Sequence, residues 1–174
     1  MNVKDLGEID GDMLLFGGPY SNLQATEALL IEAAHRGIDA AHMVCTGDLV
    51  AYCGDPAATV DLIMDAGIAV VAGNCKKQLA AGALDCGCGF ESGTTCDLLS
   101  AGWYAHANSE VSAEHRNFMA QCPDFVIFLN LENGSPLSTV ARPISLVSSG
   151  PRRLKRFSPK KSTPSASRSE RSMW

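Results

Sequence analysis

The sequence lacks any apolar run of the roughly 20 residues that a membrane-spanning helix needs. The first residues, MNVKDLGEIDGD, are acidic and lack the apolar core of a signal peptide. These two absences predict a cytoplasmic protein, in which the 7 cysteines are mostly reduced. Because the number of cysteines is odd, a complete disulfide framework is also disfavoured.

Basic residues are scarce before Gly134, and acidic residues are nearly absent after it. Nine of the 14 Lys and Arg residues follow Gly134, whereas only one acid, Glu170, does. The first part of the chain is therefore strongly acidic, although the formal net charge is only -5. Since an acidic surface repels nucleic-acid phosphates, nucleic-acid binding is not expected, except through the basic C-terminal segment.

The chain of 174 residues, 46% of them hydrophobic, fits one globular domain with a substantial core. Its first half repeats a strand, a turn and a helix three times. This order predicts an α/β protein with a parallel sheet and right-handed crossovers. The expected strands are 13–16, 41–45 and 68–71, and the helices that follow them are 23–35, 57–66 and one from Lys76. Later helices are expected at 98–104 and 112–120, a strand at 125–128 and a hairpin turn at 132–134.

Polar residues stand at the ends of the second and third expected strands. Asp48 follows Gly47 at one end, and Asn74 follows Gly73 at the other. The carboxyl ends of parallel strands meet at one edge of a sheet, where ligands bind. A carboxylate and an amide there suit a divalent cation, and the amide also suits a phosphate. The alternative is that Asp48 caps a turn and Asn74 caps a helix.

Three segments, in the same order, resemble the motifs of the calcineurin-like metallophosphoesterases. CTGDLVAYCGDP (45–56) is similar to a Gly-Asp strand end with a downstream Tyr and Pro. VAGNCKKQLA (71–80) is similar to a Gly-Asn-His strand end, and FGGPYSNLQA (16–25) to an Asp-x-His motif that precedes a helix. The resemblance covers roughly residues 13–134 and indicates an atypical branch, with GGPYSN in place of Asp-x-His.

The resemblance implies a two-sheet sandwich flanked by helices, and hydrolysis of a phosphomonoester or phosphodiester. In the family, two bridged divalent ions (Mn, Fe or Zn) generate the hydroxide and hold the phosphate. By position, Asp48 matches the bridging aspartate and Asn74 the asparagine ligand of the second metal. Cys75 replaces the histidine that assists the leaving group. The expected metal ligands are therefore Asp48 and Asn74, and the expected catalytic residues are Asn74 and Cys75.

Most of the family's other metal ligands are replaced in this chain. Gly18 and Tyr20 stand in place of the first Asp and His, and Lys76 stands where an acidic residue is usual. The chain also lacks the family's later His-Gly and Gly-His-x-His elements. Because each ion needs roughly four to six ligands, low metal occupancy and impaired catalysis are expected.

The turn over 17–22 is expected to hold a phosphate through its backbone rather than through metal-binding side chains. Gly17 and Gly18 permit close approach of a ligand, and Tyr20 can donate a hydrogen bond. Free N–H groups at the start of the helix after Asn22 would favour an anion. The alternative for Tyr20 is a plain packing role. The predicted phosphate-binding residues are Gly17, Gly18, Tyr20 and Asn22.

Four cysteines raise a separate possibility. Cys75, Cys86, Cys88 and Cys96 offer enough thiolates for a tetrahedral zinc ion, although C-x-C spacing matches zinc sites poorly. A redox pair at Cys86 and Cys88 is a second interpretation, and reduced thiols packed in a glycine-rich lobe are a third.

The residues after Gly134 have a different composition. Residues 135–174 are basic and rich in Ser and Pro, which predicts a disordered tail after a domain at 1–134. The domain would then be incomplete at its C-terminus, and a change of reading frame near Gly134 would explain both features. A tail that binds an acidic partner is the other interpretation.

Three functions stay open on the sequence alone. The first is a metal-dependent phosphoesterase-like protein that acts on a small phosphorylated molecule. The second is a non-catalytic phosphate-binding module of the same fold, and the third is a zinc protein with cysteine ligands.

Overall fold

The computed structural model describes the backbone of residues 1–132 and 135–141, and the side chains of residues 1–130. In this part of the chain, the strands are β1 (Val3–Asp10), β2 (Leu14–Phe16), β3 (Met43–Cys45), β4 (Ala69–Val70), β5 (Phe125–Glu132) and β6 (Ser135–Ala141). The helices are α1 (Leu23–His35), α2 (Pro56–Asp65), α3 (Asn74–Ala81), α4 (Thr95–Glu110) and α5 (Ala113–Gln121). A short 3₁₀ turn, Ala40–His42, precedes β3.

The first sheet has the order β2-β3-β4, and all its pairs are parallel. Phe16 pairs with Cys45, and Cys45 pairs with Val70, so the three strand ends lie side by side. This arrangement confirms the three strand–turn–helix units that the sequence predicts. It also places the turns after Phe16, Cys45 and Val70 at one edge of the sheet.

The second sheet has the order β1-β5-β6. Strand β1, which the sequence analysis did not predict, pairs in parallel with β5 from Val3–Phe125 to Asp10–Leu131. Its side chains are mostly exposed, and Ile9 is its one buried residue, so no apolar pattern marks it as a strand. Strand β6 pairs antiparallel with β5.

Strand β6 corrects the predicted domain boundary. The tail was expected to begin at residue 135 without regular structure, whereas Ser135–Ala141 forms a strand. The prediction was wrong for these residues because it inferred disorder from their Ser and Pro content. Their backbone is ordered by antiparallel pairing with β5. Residues 133–134, where the hairpin turn was predicted, and the basic segment 142–174 lie outside the described residues. Most of the region assigned to a reading-frame change lies outside them as well.

The two sheets pack face to face, and the helices cover the other face of the first sheet. In β3, Met43 and Cys45 face the helices, whereas Val44 faces the second sheet. In β4 and the residue after it, Ala69 and Val71 contact the second sheet while Val70 contacts the helices. This alternation is the period-two pattern of a sheet that is buried on both faces. A two-sheet sandwich with flanking helices is therefore present, as predicted.

Helix boundaries follow local capping residues. Helix α1 spans Leu23–His35, as predicted, and the Asn22 side chain caps it by accepting a hydrogen bond from Ala25 N at 3.0 Å. Ser112 and His115 form a reciprocal capping box at the start of α5. Within the part of the chain that the structure describes, every helix is too short or too polar to cross a membrane.

Candidate functional site

Three turns lie together at the carboxyl edge of the first sheet, and we call them the turn rim: residues 17–22, 47–52 and 73–75. Backbone hydrogen bonds join the first two turns. Gly18 N donates to Gly47 O at 3.3 Å, and Tyr20 N donates to Asp48 O at 3.1 Å. The expectation that consecutive strand ends bring Tyr20, Asp48 and Asn74 to one edge therefore agrees with the backbone.

Close contact between glycines joins the second and third turns. A Cβ atom on Gly47 would lie 3.2 Å from Gly73 Cα, so neither backbone leaves room for a larger residue. A Cβ atom on Gly73 would lie 2.5 Å from Asp48 Oδ1. The Asp48 carboxylate therefore lies directly over Gly73, and Asn74, which is exposed, follows as the first residue of α3.

Backbone strain is concentrated at the turn rim. In the described part of the chain, the non-glycine residues with positive φ are Tyr20 (52°), Ser21 (58°), Asp48 (47°) and Tyr52 (48°). Each costs free energy, on the order of 1 kcal/mol or more, relative to an ordinary conformation. All four belong to two turns that hydrogen-bond to each other, which is a pattern typical of functional sites.

The Asp48 carboxyl group is only partly satisfied. Its Oδ1 atom is buried and has no hydrogen-bond partner among the described residues. Burial raises the pKa of Asp48, and the charge of Lys76 opposes that rise. A buried carboxylate oxygen without a partner marks a place where a cation or a hydrogen-bond donor would be stabilised.

Cys75 lies beside Asp48 at the start of α3. Burial, with a further contribution from the Asp48 charge, raises the pKa of Cys75 to about 12. The residue is therefore a neutral thiol at physiological pH rather than a nucleophilic thiolate. This protonation state suits donation of a hydrogen bond or a proton better than nucleophilic attack.

Three of the four cysteines proposed as zinc ligands lie together. Cys86 and Cys88 form a disulfide, which the expectation of reduced thiols did not anticipate, and Cys75 Sγ lies 3.9 Å from Cys88 Sγ. Cys96 is an exposed free thiol. The disulfide removes two of the thiolates that a zinc ion would need. Among the described side chains, no three His, Cys, Asp or Glu residues are grouped to hold a metal ion.

The Tyr20 ring fills the space that a side chain on Gly18 would need. A Cβ atom on Gly18 would overlap the Tyr20 ring, so no side chain can extend from Gly18 into the rim. The unpartnered Oδ1 of Asp48 suits a bond to a cation. At the first turn, Gly18 and Tyr20 supply neither a carboxylate nor an imidazole. The described residues as they are arranged therefore do not fit a two-metal centre.

The backbone N–H groups of the first turn are used in hydrogen bonds within the protein. Ser21 N donates to Leu49 O and Asn22 N to Pro19 O, both at 2.9 Å, in addition to the bonds of Gly18 and Tyr20. The N–H groups predicted to bind an anion are instead those at the start of α1, where Ala25 N donates to the Asn22 cap at 3.0 Å. Gly17, Gly18, Tyr20 and Asn22 instead line a cavity of about 270 Å³ with apolar neighbours, among them Phe16 and Leu29.

Helix α3 begins without a side-chain cap. Gly73 occupies its N-cap position, so no side chain accepts from the first N–H groups of the helix. Those groups belong to Asn74, Cys75 and Lys76, and they lie at the positive end of the helix dipole. An uncapped helix start of this kind favours an anion.

Sequence reasoning missed an aromatic row that leads away from the turn rim. The ring centroids of Tyr20 and Tyr52 lie 5.3 Å apart, and those of Tyr52 and Trp103 lie 5.5 Å apart. The row continues from Trp103 to Tyr104 at 5.7 Å. Tyr52 is 52% exposed, so its ring forms part of the surface beside Asp48. Four aromatics spread between residues 20 and 104 carry no local signal, and only the fold brings them together.

No protein-family model matches the chain, and no curated protein matches it significantly. Solved structures do match. A proposed diadenosine tetraphosphatase is 22% identical, with a TM-score of 0.52, over 73% of this chain and 50% of that one. A metallophosphoesterase from Sphaerobacter thermophilus is 23% identical, with a TM-score of 0.48, over 66% of this chain and 43% of that one. The hypothetical protein PH1004 from Pyrococcus horikoshii OT3 is 14% identical, with a TM-score of 0.48, over 68% of this chain and 50% of that one.

These likenesses concern the fold. The chain spans half or less of the length of the solved structures that it matches. The likeness to the proposed diadenosine tetraphosphatase, together with the sandwich described above, confirms the predicted fold class: the chain has the α/β fold of the calcineurin-like metallophosphoesterases.

Proposed function

We propose that this chain binds the phosphate group of a small phosphorylated molecule at the turn rim and is a phosphoesterase-type protein with impaired hydrolysis. The concentration of strained, non-glycine residues at the rim is the observation that carries the proposal. Four such residues in two hydrogen-bonded turns are costly for stability. They are expected where the geometry serves a ligand.

The phosphate would lie at the start of α3. The uncapped N–H groups of Asn74, Cys75 and Lys76 would donate to its oxygens, and the exposed Asn74 amide would add a side-chain donor. The apolar cavity lined by Phe16, Tyr20 and Leu29 adjoins the rim and would accept the organic part of the molecule.

A divalent cation would be held by Asp48 and Asn74 alone, and therefore weakly. Mn, Fe or Zn ions are the candidates that the family resemblance suggests. Because Gly18 and Tyr20 replace the other ligand pair, the cation would complete its coordination with water or with phosphate oxygens. We expect low occupancy at ordinary metal concentrations.

Hydrolysis would be slow for the same reason. A two-metal centre both generates hydroxide and stabilises the leaving oxygen, and this rim retains too few ligands to do either well. Cys75, as a neutral thiol beside Asp48, is the residue we assign to the leaving group. A purely non-catalytic phosphate-binding module is the second candidate. It is favoured because the Tyr20 ring fills the space that a metal-binding side chain at position 18 would need.

We test the proposal by measuring binding and hydrolysis, each with and without Mn²⁺. The compounds are p-nitrophenyl phosphate, bis-p-nitrophenyl phosphate and diadenosine tetraphosphate. The last compound is included because one structural relative is a proposed diadenosine tetraphosphatase. We expect saturable binding to the wild type. Asn74→Ala should weaken it at least about tenfold, and the surface control Asn117→Ala should not. Any slow hydrolysis should be lost in Asp48→Asn and retained in the control Asp65→Asn. Absence of saturable binding of all three compounds would contradict the proposal.

A further inference from the structure

Three cysteine sulfurs lie in contact at the end of the turn rim. Cys86 and Cys88 form a disulfide, and the Sγ atom of Cys75, a free thiol, lies 3.9 Å from Cys88 Sγ. Cys75 and Cys86 are buried, each with an exposed fraction of 4%, whereas Cys88 is partly exposed. A thiol in contact with one sulfur of a disulfide is the arrangement from which thiol–disulfide exchange starts.

Helix α3 holds the disulfide in this position. It carries Cys75 in its first turn and Gln78 about one turn later, and Gln78 packs against Gly87, the residue between the two bonded cysteines. A Cβ atom on Gly87 would lie 2.6 Å from Gln78 Nε2. The chain before the disulfide is fixed as well, because Ala83 N donates to Gln78 O and the Tyr104 hydroxyl group donates to Ala83 O, both at 2.9 Å. The contact between the thiol and the disulfide is therefore supported by the packing of this segment on α3.

Cys86 is the sulfur that is suited to leave. The Cys88 N–H group donates to Cys86 Sγ at 3.3 Å. Because a hydrogen bond to sulfur stabilises negative charge on it, this contact would stabilise the charge that develops on Cys86 when the disulfide breaks. Cys75 contacts the other sulfur, Cys88, which is therefore the sulfur that it would attack.

We propose that Cys75, Cys86 and Cys88 form a thiol–disulfide exchange centre, in which the disulfide moves between Cys86–Cys88 and Cys75–Cys88. Cys75 Sγ forms a bond to Cys88 Sγ, the Cys86–Cys88 bond breaks, and the proton that Cys75 loses is balanced by the proton that Cys86 gains. The exchange therefore needs no added oxidant or reductant. Afterwards Cys75 has no free thiol at the turn rim, and a covalent bond joins the start of α3 to the glycine-rich residues 82–94.

Disulfide mapping of the full-length variant Cys86→Ser tests the proposal, because this substitution leaves Cys88 without its partner. The variant is incubated for hours with reduced and oxidised glutathione, since a buried, neutral thiol reacts slowly. Free thiols are then blocked with N-ethylmaleimide, and peptide mass spectrometry identifies the bonds. Molecules with a Cys75–Cys88 disulfide should outnumber those with a free Cys88 by at least about tenfold, because the two sulfurs are already in contact. Cys96→Ser, which removes an exposed free thiol, is the matched control and should keep the Cys86–Cys88 disulfide.

If Cys88 of the Cys86→Ser variant stays free, carries glutathione or pairs with Cys96, the inference is overturned. The wild type provides a second readout, which decides alone if that variant does not fold. The oxidised protein is incubated without added thiol, then denatured and blocked. Exchange predicts a fraction of molecules with N-ethylmaleimide on Cys86 and a Cys75–Cys88 bond, and Cys75→Ser should show no blocked Cys86. A wild type in which Cys86 is never blocked contradicts the proposal, because its disulfide does not move.

The exchange centre goes beyond the proposed function and does not depend on it. Disulfide mapping uses neither a phosphate compound nor a metal ion, so absence of phosphate-ester binding would sink the proposed function and leave the mapping interpretable. Conversely, phosphate-ester binding in a wild type whose disulfide does not move would leave the proposed function standing and remove the exchange centre.

Discussion

The Asp48 carboxylate and the Gly73 backbone are in such close contact that a side chain on Gly73 would displace the carboxylate, since its Cβ atom would lie 2.5 Å from Asp48 Oδ1. We therefore predict that Gly73→Ala lowers the free energy of unfolding by about 1–3 kcal/mol and weakens ligand binding at the rim. Chemical denaturation and Mn²⁺ titration measure the two effects.

Gly102→Ala is the matched control for that substitution. Gly102 lies inside α4, and a Cβ atom there would meet nothing within 4 Å. Because glycine costs a helix interior about 0.5–1 kcal/mol relative to alanine, Gly102→Ala should stabilise the protein. If Gly73→Ala proves as harmless as Gly102→Ala, the Asp48–Gly73 contact does not constrain the site.

Asp at position 18 and His at position 20 should improve cation binding only when both are introduced together. Gly18→Asp alone should bind Mn²⁺ no better than the wild type, because its side chain would collide with the Tyr20 ring at a φ of +59°. Gly18→Asp/Tyr20→His removes the ring and adds two ligands, so it should bind Mn²⁺ at least about tenfold more tightly. Isothermal titration calorimetry distinguishes the cases, and a gain in Gly18→Asp alone would show that the ring does not fill the ligand position.

Alkaline pH should destabilise the fold through Cys75. Its folded pKa of about 12 lies above the ordinary value of 9.0, so the folded state binds the thiol proton more tightly than the unfolded state. The corresponding stability is complete below pH 9 and is lost as the pH rises toward 12. The free energy of unfolding of Cys75→Ser should therefore fall less steeply over this range. Parallel slopes for the two proteins would show that Cys75 is not the titrating group.

Because the Cys75 thiol is buried and neutral, it should be alkylated slowly. Iodoacetamide at pH 8 should label the exposed Cys53 and Cys96 first, while the buried Cys75 reacts only after unfolding. Peptide mass spectrometry of a time course measures the order. Early labelling of Cys75 would contradict both its burial and its neutral state.

His115 should contribute to stability through a helix cap and a contact between helices. It is buried, completes the capping box of α5 with Ser112, and lies 2.7 Å from Asp61 of α2 through its Nε2 atom. His115→Ala should lower the free energy of unfolding by about 1–2 kcal/mol, whereas His35→Ala, at an exposed position, should change it by less than about 0.5 kcal/mol. Equal effects of the two substitutions would contradict this role.

Local sequence signals were sufficient for the first sheet and its helices. The bounds of α1 follow from Asn22 and from Gly37, and the turns at Gly47 and Gly73 follow from the ends of apolar runs. Strand β1 was missed because only Ile9 is buried in it, and β6 because its order depends on pairing with β5. Long-range pairing leaves no local pattern in either segment.

The candidate site was predictable in its position but not in its chemistry. Strand order alone placed Asp48 and Asn74 at one edge of the sheet. It could not show that carbonyl groups of the second turn accept hydrogen bonds from N–H groups of the first turn. The aromatic row from Tyr20 to Trp103 and the burial of Lys76 likewise arise from packing between distant segments. Such contacts become visible only when the elements are assembled.

Chemical-shift mapping tests the central claim most directly, because it locates the bound phosphate on the backbone. Inorganic phosphate is added to the ¹⁵N-labelled full chain, and amide shifts are followed to saturation. The account predicts the largest shifts at the N–H groups of Asn74, Cys75 and Lys76, with smaller shifts at Leu23 and Gln24 of α1. Shifts confined to the start of α1 or to the basic residues 142–174, with none at α3, would contradict it.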